Sequence, residues 1–304
     1  IRRNFDDAQT GVKKIFGDRE FEKRLAEKGF QLSSANSINV GRLVPQIVYY
    51  VYAYAKLVEN GEIENGEVIN VTVPTGNFGN ILAAYLAKQM GMPIGRLICA
   101  SNENKVLYDF FSTGTYDRER PFILTSSPSM DILISSNLER LIYLSCGCDE
   151  AKTAELMREL SADGKYTVTE EMREFMADFW GGYAGEEENA GVIRSVFESC
   201  GYLMDTHTGV AAAVSRQYKK ETGDGRKMLI ASTASPFKFS GSVLEAIRGP
   251  QEGMDEFAVV DELSRVSGVP VPAAVEEIRT APIRHNRECG PEEMEALVAE
   301  ILGC

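Results

Sequence analysis

The segment that fixes the architecture reads VINVTVPTGNFGNILAAYLAKQMGMPIGRLICA over residues 68–100. Its β-branched beginning, Val68–Val73, predicts a strand, and Ile81–Met90 predicts a helix. Leu97–Ala100 predicts a second strand. A strand, a crossover helix and a strand form a βαβ unit, in which the strands run parallel and the connection is right-handed.

The rest of the chain alternates in a similar way. Further helices are predicted at Asp7–Phe16, Ala151–Leu160, Glu170–Trp180, Asn189–Cys200, Gly209–Thr222, Gly241–Ile247, Asp255–Val266 and Pro291–Leu302, and strands at Phe30–Ser33 and Met228–Ala231. The predicted fold class is α/β, with three layers in which helices cover both faces of a mainly parallel sheet.

An aromatic-rich segment lies between the first predicted strand and the βαβ unit. Its apolar spacing predicts a helix that is buried nearly all round, rather than an aromatic ligand box. Asn36-Ser37 is predicted to cap this helical run, because short polar side chains accept hydrogen bonds from the first turn. The apolar positions are Val44, Ile47, Val48, Val51, Tyr52 and Tyr54.

Length, composition and charge restrict the class of protein. The 304 residues predict two domains or one large α/β domain, and 44% hydrophobic and 25% charged residues are typical of a globular chain with a sizeable core. No membrane-spanning stretch is predicted. The net charge of −13 argues against nucleic acid or an anionic membrane as the main partner. An anionic ligand therefore needs a local site.

The cysteines indicate neither a disulfide framework nor a metal site. Cys146-Gly147-Cys148 has one intervening residue rather than two, and the chain has only two histidines, His207 and His285. We therefore expect no metal, and a reducing cytoplasm as the setting. The chain begins with Ile1 rather than Met, and from this we expect that the beginning of the natural polypeptide is missing.

The loop Pro74–Asn80 is the candidate binding site. It joins a strand to a helix N-terminus, where amide groups lack partners and the helix dipole favours an anion. Gly76 and Gly79 allow close approach of a ligand, and Asn77 and Asn80 can add donors. The pattern matches neither G-x-x-x-x-G-K-[ST] nor G-x-G-x-x-G, the loop motifs that bind nucleoside triphosphates and dinucleotides. Spacing alone leaves phosphate binding and a plain tight turn equally open.

Other chemistries have less support in the sequence. Neither histidine is accompanied by a G-x-S-x-G nucleophile elbow. The carboxylates lie mostly in solvated runs such as Glu186–Glu188, so no glycosidase pair can be named. Asp205 or Thr208 is predicted to cap the helix that follows.

Short motifs in a fixed order along the chain resemble the threonine synthase family. That family depends on pyridoxal 5'-phosphate and has the tryptophan-synthase-β-like fold. The likeness extends to about Ile247, and the tail after Gly249 carries no such motif beyond a helical end. The motifs are Asn4–Gln9, Ser34–Asn39 with Arg42-Leu43 and Pro45-Gln46, Pro74–Asn80, Ser101–Asn104, Pro128–Ile132, Ser136–Arg140, Asp205–Val210 and Thr233–Phe239.

The resemblance implies two sets of binding residues. It places the substrate phosphate, that of O-phospho-L-homoserine, at Asn36 and Arg42, and an arginine suits this role because its planar fork binds phosphate bidentately. It places Thr233 near the pyridine nitrogen of the cofactor. Ser235 and Thr206 stand where the family often has His and Pro. The residues implied for the cofactor phosphate are Gly76, Asn77, Phe78, Gly79 and Asn80.

The family's Schiff-base lysine lies in a Phe-Lys-Asp motif upstream of the part that begins with Asn4. Phe237-Lys238 imitates that motif, but Phe239 follows it and it belongs to the Thr233 loop, so Lys238 is not assigned. The resemblance thus implies the C-terminal portion of a threonine synthase. Residues 1–35 would be a remnant helix and strand of the small domain, and residues 36–304 the large cofactor-binding domain with a helical tail.

The implied activity is a lyase reaction that converts O-phospho-L-homoserine and water into L-threonine and phosphate by β,γ-replacement. We expect this chain alone to be inactive and to need the missing N-terminal segment. Two alternatives stay open: another lyase of the same fold, such as a serine/threonine dehydratase, and a non-catalytic paralogue that binds a phosphorylated ligand.

Overall fold

The computed structural model describes residues 1–3 and 5–304, without the side chains of Phe5, Asp6 and Gln9. Asn4 and those side chains of the first motif therefore lie outside the described residues. The strands are β1 (Ile69–Pro74), β2 (Ile94–Ser101), β3 (Thr115–Asp117), β4 (Lys165–Thr167), β5 (Phe179–Tyr183) and β6 (Met228–Ile230).

The helices occupy most of the remaining chain. The N-terminal half contains α1 (Phe5–Gly17), α2 (Arg19–Glu27), α3 (Val40–Leu43), α4 (Ile47–Glu59), α5 (Gly79–Gln89), α6 (Val106–Thr113) and α7 (Leu138–Ser145). The C-terminal half contains α8 (Glu150–Asp163), α9 (Glu170–Phe175), α10 (Glu186–Cys200), α11 (Thr206–Thr222), α12 (Ser240–Arg248), α13 (Glu256–Ser267), α14 (Ala273–Ile278) and α15 (Met294–Leu302). Single 3₁₀ turns lie at Val44–Gln46, Pro128–Met130, Pro236–Phe239 and Pro291–Glu293.

A four-stranded parallel sheet in the order β5-β2-β1-β6 forms the centre of the molecule. Alternate residues of β2 serve two separate cores, since successive side chains of a strand point to opposite faces. Leu97 packs with α5 and α6 on one face, and Ile98 packs with α10, α11 and α12 on the other. The predicted three-layer α/β class is confirmed, and β3 and β4 add a small antiparallel pair that was not predicted.

We expect Leu97→Ala to lower the free energy of unfolding by about 2–5 kcal/mol, because the side chain is fully buried and its loss leaves a cavity. Leu124→Ala is the matched control, since Leu124 is 73% exposed. Urea titration followed by circular dichroism measures both variants. Equal shifts of the two midpoints would contradict the assignment of Leu97 to the core.

The strand predicted at Phe30–Ser33 is wrong. Residues 30–34 have no regular structure, and the Phe30 amide donates to the Leu25 carbonyl at 2.9 Å, which closes the end of α2. The predicted cap also differs, because Asn39 rather than Asn36-Ser37 accepts from the first turn of α3, at the Gly41 amide. Whether residues 1–35 are the remnant of a small domain stays a prediction.

Helix α4 is not buried on all sides, so this prediction is also wrong. Tyr50 and Tyr54 point inward, whereas Val48 and Tyr52 are 63% and 64% exposed. The helix packs on α5 along one side. Apolar spacing shows that the segment is helical, but it does not show how many neighbours the helix has.

The helix predicted at Glu170–Trp180 ends at Phe175, and the last part of it belongs to an edge strand. Phe179 and Trp180 open β5, which pairs in parallel with β2 at Leu97 and Ile98. Bulky aromatic residues suit a strand as well as a buried helix, so the local pattern does not distinguish the two.

Helices from both ends of the chain share a small core of their own. Ile15, Phe21 and Leu25 from α1 and α2 pack with Met294 and Ala299 from the tail. Gly11 lies against the Met294 sulfur, where a side chain would collide. Of the tail after Gly249, for which no motif indicates a role, the last helix thus packs on the first two helices.

Candidate functional site

The residues predicted for binding meet at the carboxyl edge of the parallel sheet. The loop 74–80 follows β1, and Thr233 follows the neighbouring strand β6. In open α/β sheets this edge is where ligands bind. A cavity of about 740 Å³ lies there, and every residue implied for cofactor or substrate phosphate lines it: Asn36, Arg42, Gly76, Asn77, Phe78, Gly79, Asn80 and Thr233.

The turn into α5 depends on Phe78. Its backbone is left-handed, with φ of 64°, a conformation that a bulky residue adopts only when its surroundings hold it there. The ring is 1% exposed and packs against Phe179 at 5.6 Å between ring centroids. Buried aromatic packing thus holds the loop at the start of α5, where the first amide groups have no partner within the helix.

Two glycines allow the backbone of the loop to come close to its neighbours. A Cβ at Gly76 would lie 2.5 Å from the Ser129 carbonyl oxygen, and a Cβ at Gly79 would lie 2.5 Å from the Ser37 Cβ. Neither position tolerates a side chain without displacement of the neighbouring segment. The loop is therefore a cradle whose walls are the segments at Ser37 and Ser129.

Tyr50 orients the amide of Asn80. Its hydroxyl donates to the Asn80 Oδ1 and lies 3.3 Å from the Asn80 carbonyl oxygen. Burial raises the pKa of the Tyr50 hydroxyl, so it stays protonated and acts as the donor. Because Oδ1 is occupied in this way, the Nδ2 group of Asn80 is the one left to donate to a ligand.

Asn36 and Arg42 line the same cavity. The Asn36 Oδ1 accepts from the Ile38 amide at 3.2 Å, which leaves its Nδ2 as a donor. Within the described part of the chain, the Arg42 guanidinium has no hydrogen-bond or ion-pair partner, and the residue is exposed. An unpaired guanidinium beside a cavity is suited to an anion.

Asn137 and Arg140 join the two groups of predicted residues, although no role for either follows from the sequence. The Asn137 Nδ2 donates to the Ser37 Oγ at 3.0 Å and to the Asn77 carbonyl at 2.8 Å. Arg140 donates to the Ile38 carbonyl at 2.7 Å. The substrate-phosphate segment is thus held directly against the glycine loop.

Asp205 caps α11 as predicted, accepting from the His207 amide at 2.9 Å. Burial would raise the pKa of this carboxyl, but hydrogen bonds from His207 and Thr208 outweigh it and lower the pKa on balance. The side chain of His207 also lines the cavity, and its Nε2 accepts from the Ser129 amide at 3.2 Å. From the residues alone, Asp205–Val210 indicates only a helix cap, and the family resemblance implies no role for His207.

Among the residues that the structure describes, no lysine lines the cavity. Lys238 lies over the Phe239 ring, with its Nζ 5.3 Å from the ring centroid. The described residues also contain no group of three or more His, Cys, Asp or Glu side chains placed to hold a metal ion. Nor does any helix in the described ranges combine the length and apolar character that a membrane crossing demands.

Comparisons with known proteins find threonine synthases and proteins named threonine synthase-like. The family description "Threonine synthase, C-terminal" matches residues 208–281. A Homo sapiens protein named threonine synthase-like 1 is 44% identical over 251 residues, which are 82% of this chain and 33% of that protein. The chain spans about a third of the length of the first curated relatives that it matches.

Two solved structures resemble the fold over most of its length. Threonine synthase from Brucella melitensis, described as bound to pyridoxal phosphate, is 37% identical with a TM-score of 0.71, over 88% of this chain and 57% of that one. Threonine synthase from yeast is 30% identical with a TM-score of 0.77, over 99% of this chain and 58% of that one.

Fold and site together define an α/β protein with a glycine-lined cavity at the carboxyl edge of a parallel sheet. Over most of its length the chain is similar to threonine synthases, and its residues 208–281 match the family description for the C-terminal part of such proteins.

Proposed function

We propose that this chain is the cofactor-binding part of a pyridoxal-phosphate-dependent threonine synthase, which converts O-phospho-L-homoserine and water into L-threonine and phosphate. One observation carries the proposal: the residues implied for the cofactor and those implied for the substrate phosphate, far apart in sequence, line one cavity. The chain covers only part of its relatives, so the activity belongs to a longer protein.

The residues present fit pyridoxal phosphate. The cavity of about 740 Å³ is within the range of pockets for ligands of this size. Gly76 and Gly79 let the loop lie directly against the Ser129 backbone and the Ser37 side chain, at the N-terminus of an eleven-residue helix that suits a phosphate. Thr233 follows the strand next to β1 and lines the same cavity, so one ligand there would have both the glycine loop and Thr233 in its walls.

In the proposed reaction, the side chains of this protein bind and orient the cofactor and the substrate. The glycine loop and the Asn80 amide hold the cofactor phosphate, and Thr233 offers a neutral hydroxyl to the ring nitrogen. Arg42 and Asn36, which line the same cavity, hold the substrate phosphate. When bound, pyridoxal phosphate supplies an electron sink for the amino-acid substrate. A neutral hydroxyl at the ring nitrogen leaves that ring less cationic than a carboxylate would, which suits chemistry at the β and γ carbons.

The proton-transferring lysine has no candidate in this cavity among the described residues. We therefore propose that the lysine is contributed by a further segment of the same enzyme, and that the 304 residues alone bind the cofactor without turning over substrate. A reducing compartment suits the six free thiols.

Separate titrations with a phosphorylated and an unphosphorylated ligand distinguish the proposed function from its two alternatives. The chain is loaded with pyridoxal phosphate and titrated by calorimetry with O-phospho-L-homoserine and with L-serine. The proposal requires the phosphorylated ligand to bind at least about tenfold more tightly, because Arg42 offers a charge-assisted contact. Equal affinities for O-phospho-L-homoserine and L-serine would favour a dehydratase-like enzyme. Binding of phosphorylated ligands without pyridoxal phosphate would favour the non-catalytic paralogue.

We expect Tyr50→Phe to weaken pyridoxal phosphate binding by up to about tenfold, because the Asn80 amide loses the hydroxyl that orients it. Fluorescence titration of the cofactor measures the change. Tyr52→Phe is the matched control, since it makes the same chemical change on the exposed side of the same helix. A similar loss in both variants would mean that Tyr50 acts on the stability of α4 rather than on Asn80.

A further inference from the structure

We propose that His207 is a positioning residue, which holds the Ser129–Met130 segment against Gly76 and thereby fixes one wall of the cofactor cradle. The inference rests on the proposed function, because it assigns a role within the same cavity.

Contacts from the first turn of α11 hold residues 126–129, which lead into this segment, at two points. The Thr206 Oγ1 donates to the Ser126 carbonyl at 2.7 Å, and the Ser129 amide donates to the His207 Nε2 at 3.2 Å. Ser129 in turn presents its carbonyl oxygen to Gly76, at the 2.5 Å distance that excludes a Cβ there. The position of His207 therefore sets the width of the cradle on this side.

The hydrogen bonds define the protonation state of the ring. An amide N–H can only donate, so the Nε2 of His207 carries no proton. The Nδ1 lies 3.0 Å from the Asp205 Oδ1, whose lowered pKa keeps it ionised, so Nδ1 carries the proton and donates. His207 is thus a neutral Nδ1–H tautomer that links a carboxylate to a backbone amide.

Helix capping does not account for these contacts. Asp205 caps α11 by accepting from the backbone amides of residues 207 and 208. Any residue other than proline at position 207 would leave both amides in place. The ring also packs on Phe239, at 4.7 Å between centroids, in the loop that carries Thr233. An imidazole at this position connects the glycine cradle to the loop proposed for the ring nitrogen.

The wild-type chain allows a direct test, because it contains only two histidines. Nitrogen-15 NMR of the cofactor-free protein gives the tautomer of each ring, and His285→Gln identifies the signal of His207, since His285 is exposed in the tail. We expect a neutral ring protonated at Nδ1. A ring protonated at Nε2, or at both nitrogens at neutral pH, would overturn the inference without any change of fold.

Two variants then test the effect on the wall. His207→Leu removes the acceptor, and His207→Gln places an amide oxygen within reach of the Ser129 amide. We expect hydrogen exchange at Ser129 to speed up at least tenfold in the leucine variant and to stay within threefold of wild type in the glutamine variant. We expect the affinity for pyridoxal phosphate to fall in the leucine variant and to stay close to that of the wild type in the glutamine variant. Equal exchange at Ser129 in the wild type and both variants would contradict the positioning role.

The two hypotheses fail in different ways. If the wild-type chain shows the expected tautomer and exchange but does not bind pyridoxal phosphate, the proposed cofactor is wrong and the His207 contact stands as a feature of the cavity wall. If the cofactor binds equally to all three forms, the positioning role is wrong and the cofactor assignment stands.

Discussion

Gly76→Ala is expected to lower the affinity for pyridoxal phosphate by at least about 100-fold, that is about 2.7 kcal/mol or more. The added Cβ would lie 2.5 Å from the Ser129 carbonyl oxygen and 3.4 Å from the Met130 Cα. Both are backbone atoms, which cannot rotate away as the tip of a side chain can. Either the glycine loop or the Ser129 segment must therefore shift, and the cradle opens.

Gly225→Ala is the control for this substitution. A Cβ added at Gly225 would meet no atom within 4 Å, and the backbone there is not left-handed, so the replacement should leave affinity unchanged. Calorimetric titration with pyridoxal phosphate measures both variants, and circular dichroism establishes that each is folded. Unaltered affinity of a folded Gly76→Ala protein would remove the glycine loop from the cofactor site.

Arg42→Ala should raise the dissociation constant for O-phospho-L-homoserine by about 30- to 1,000-fold, as expected for the loss of about 2–4 kcal/mol from a charge-assisted, bidentate phosphate contact. The guanidinium has no other partner among the described residues, so its removal breaks no internal ion pair. Affinity for the cofactor should hardly change, because the glycine loop rather than Arg42 is proposed to hold the cofactor phosphate.

Arg158→Ala matches this variant in charge and chemistry at a distant, exposed position on α8. Calorimetry with the cofactor-loaded chain compares both variants, and inorganic phosphate serves as a second ligand. Equal losses for substrate and cofactor in Arg42→Ala would mean that both phosphates share one site. An effect of equal size in Arg158→Ala would reduce the role of Arg42 to its contribution to net charge.

Local patterns are sufficient to predict the centre of the fold. The β-branched run, the glycine loop and the helix after it lie within one βαβ unit, so each element can be predicted from its own residues. The meeting of Arg42 with Gly76 and Thr233 is predictable only through the resemblance to a family. No spacing within the sequence places these three residues at one edge of a sheet.

What the sequence does not reveal depends on contacts between distant segments. Tyr50 belongs to an aromatic run that is predicted to be core, and its contact with Asn80 arises only when α4 packs on α5. The side chain of His207 has its partner Ser129 on a separate loop. Trp180 falls in a predicted helix because the pairing of β5 with β2 is not visible in local propensity.

The shared core of α1, α2 and α15 has a consequence for how the molecule opens. Contacts such as those between Leu25 and the tail close a loop that contains nearly the whole chain, and closing a long loop costs entropy. The cluster buries few side chains compared with the cores on the two faces of the sheet. Native-state fluctuations should therefore release both termini together as one cooperative unit, while the sheet and its cavity stay folded.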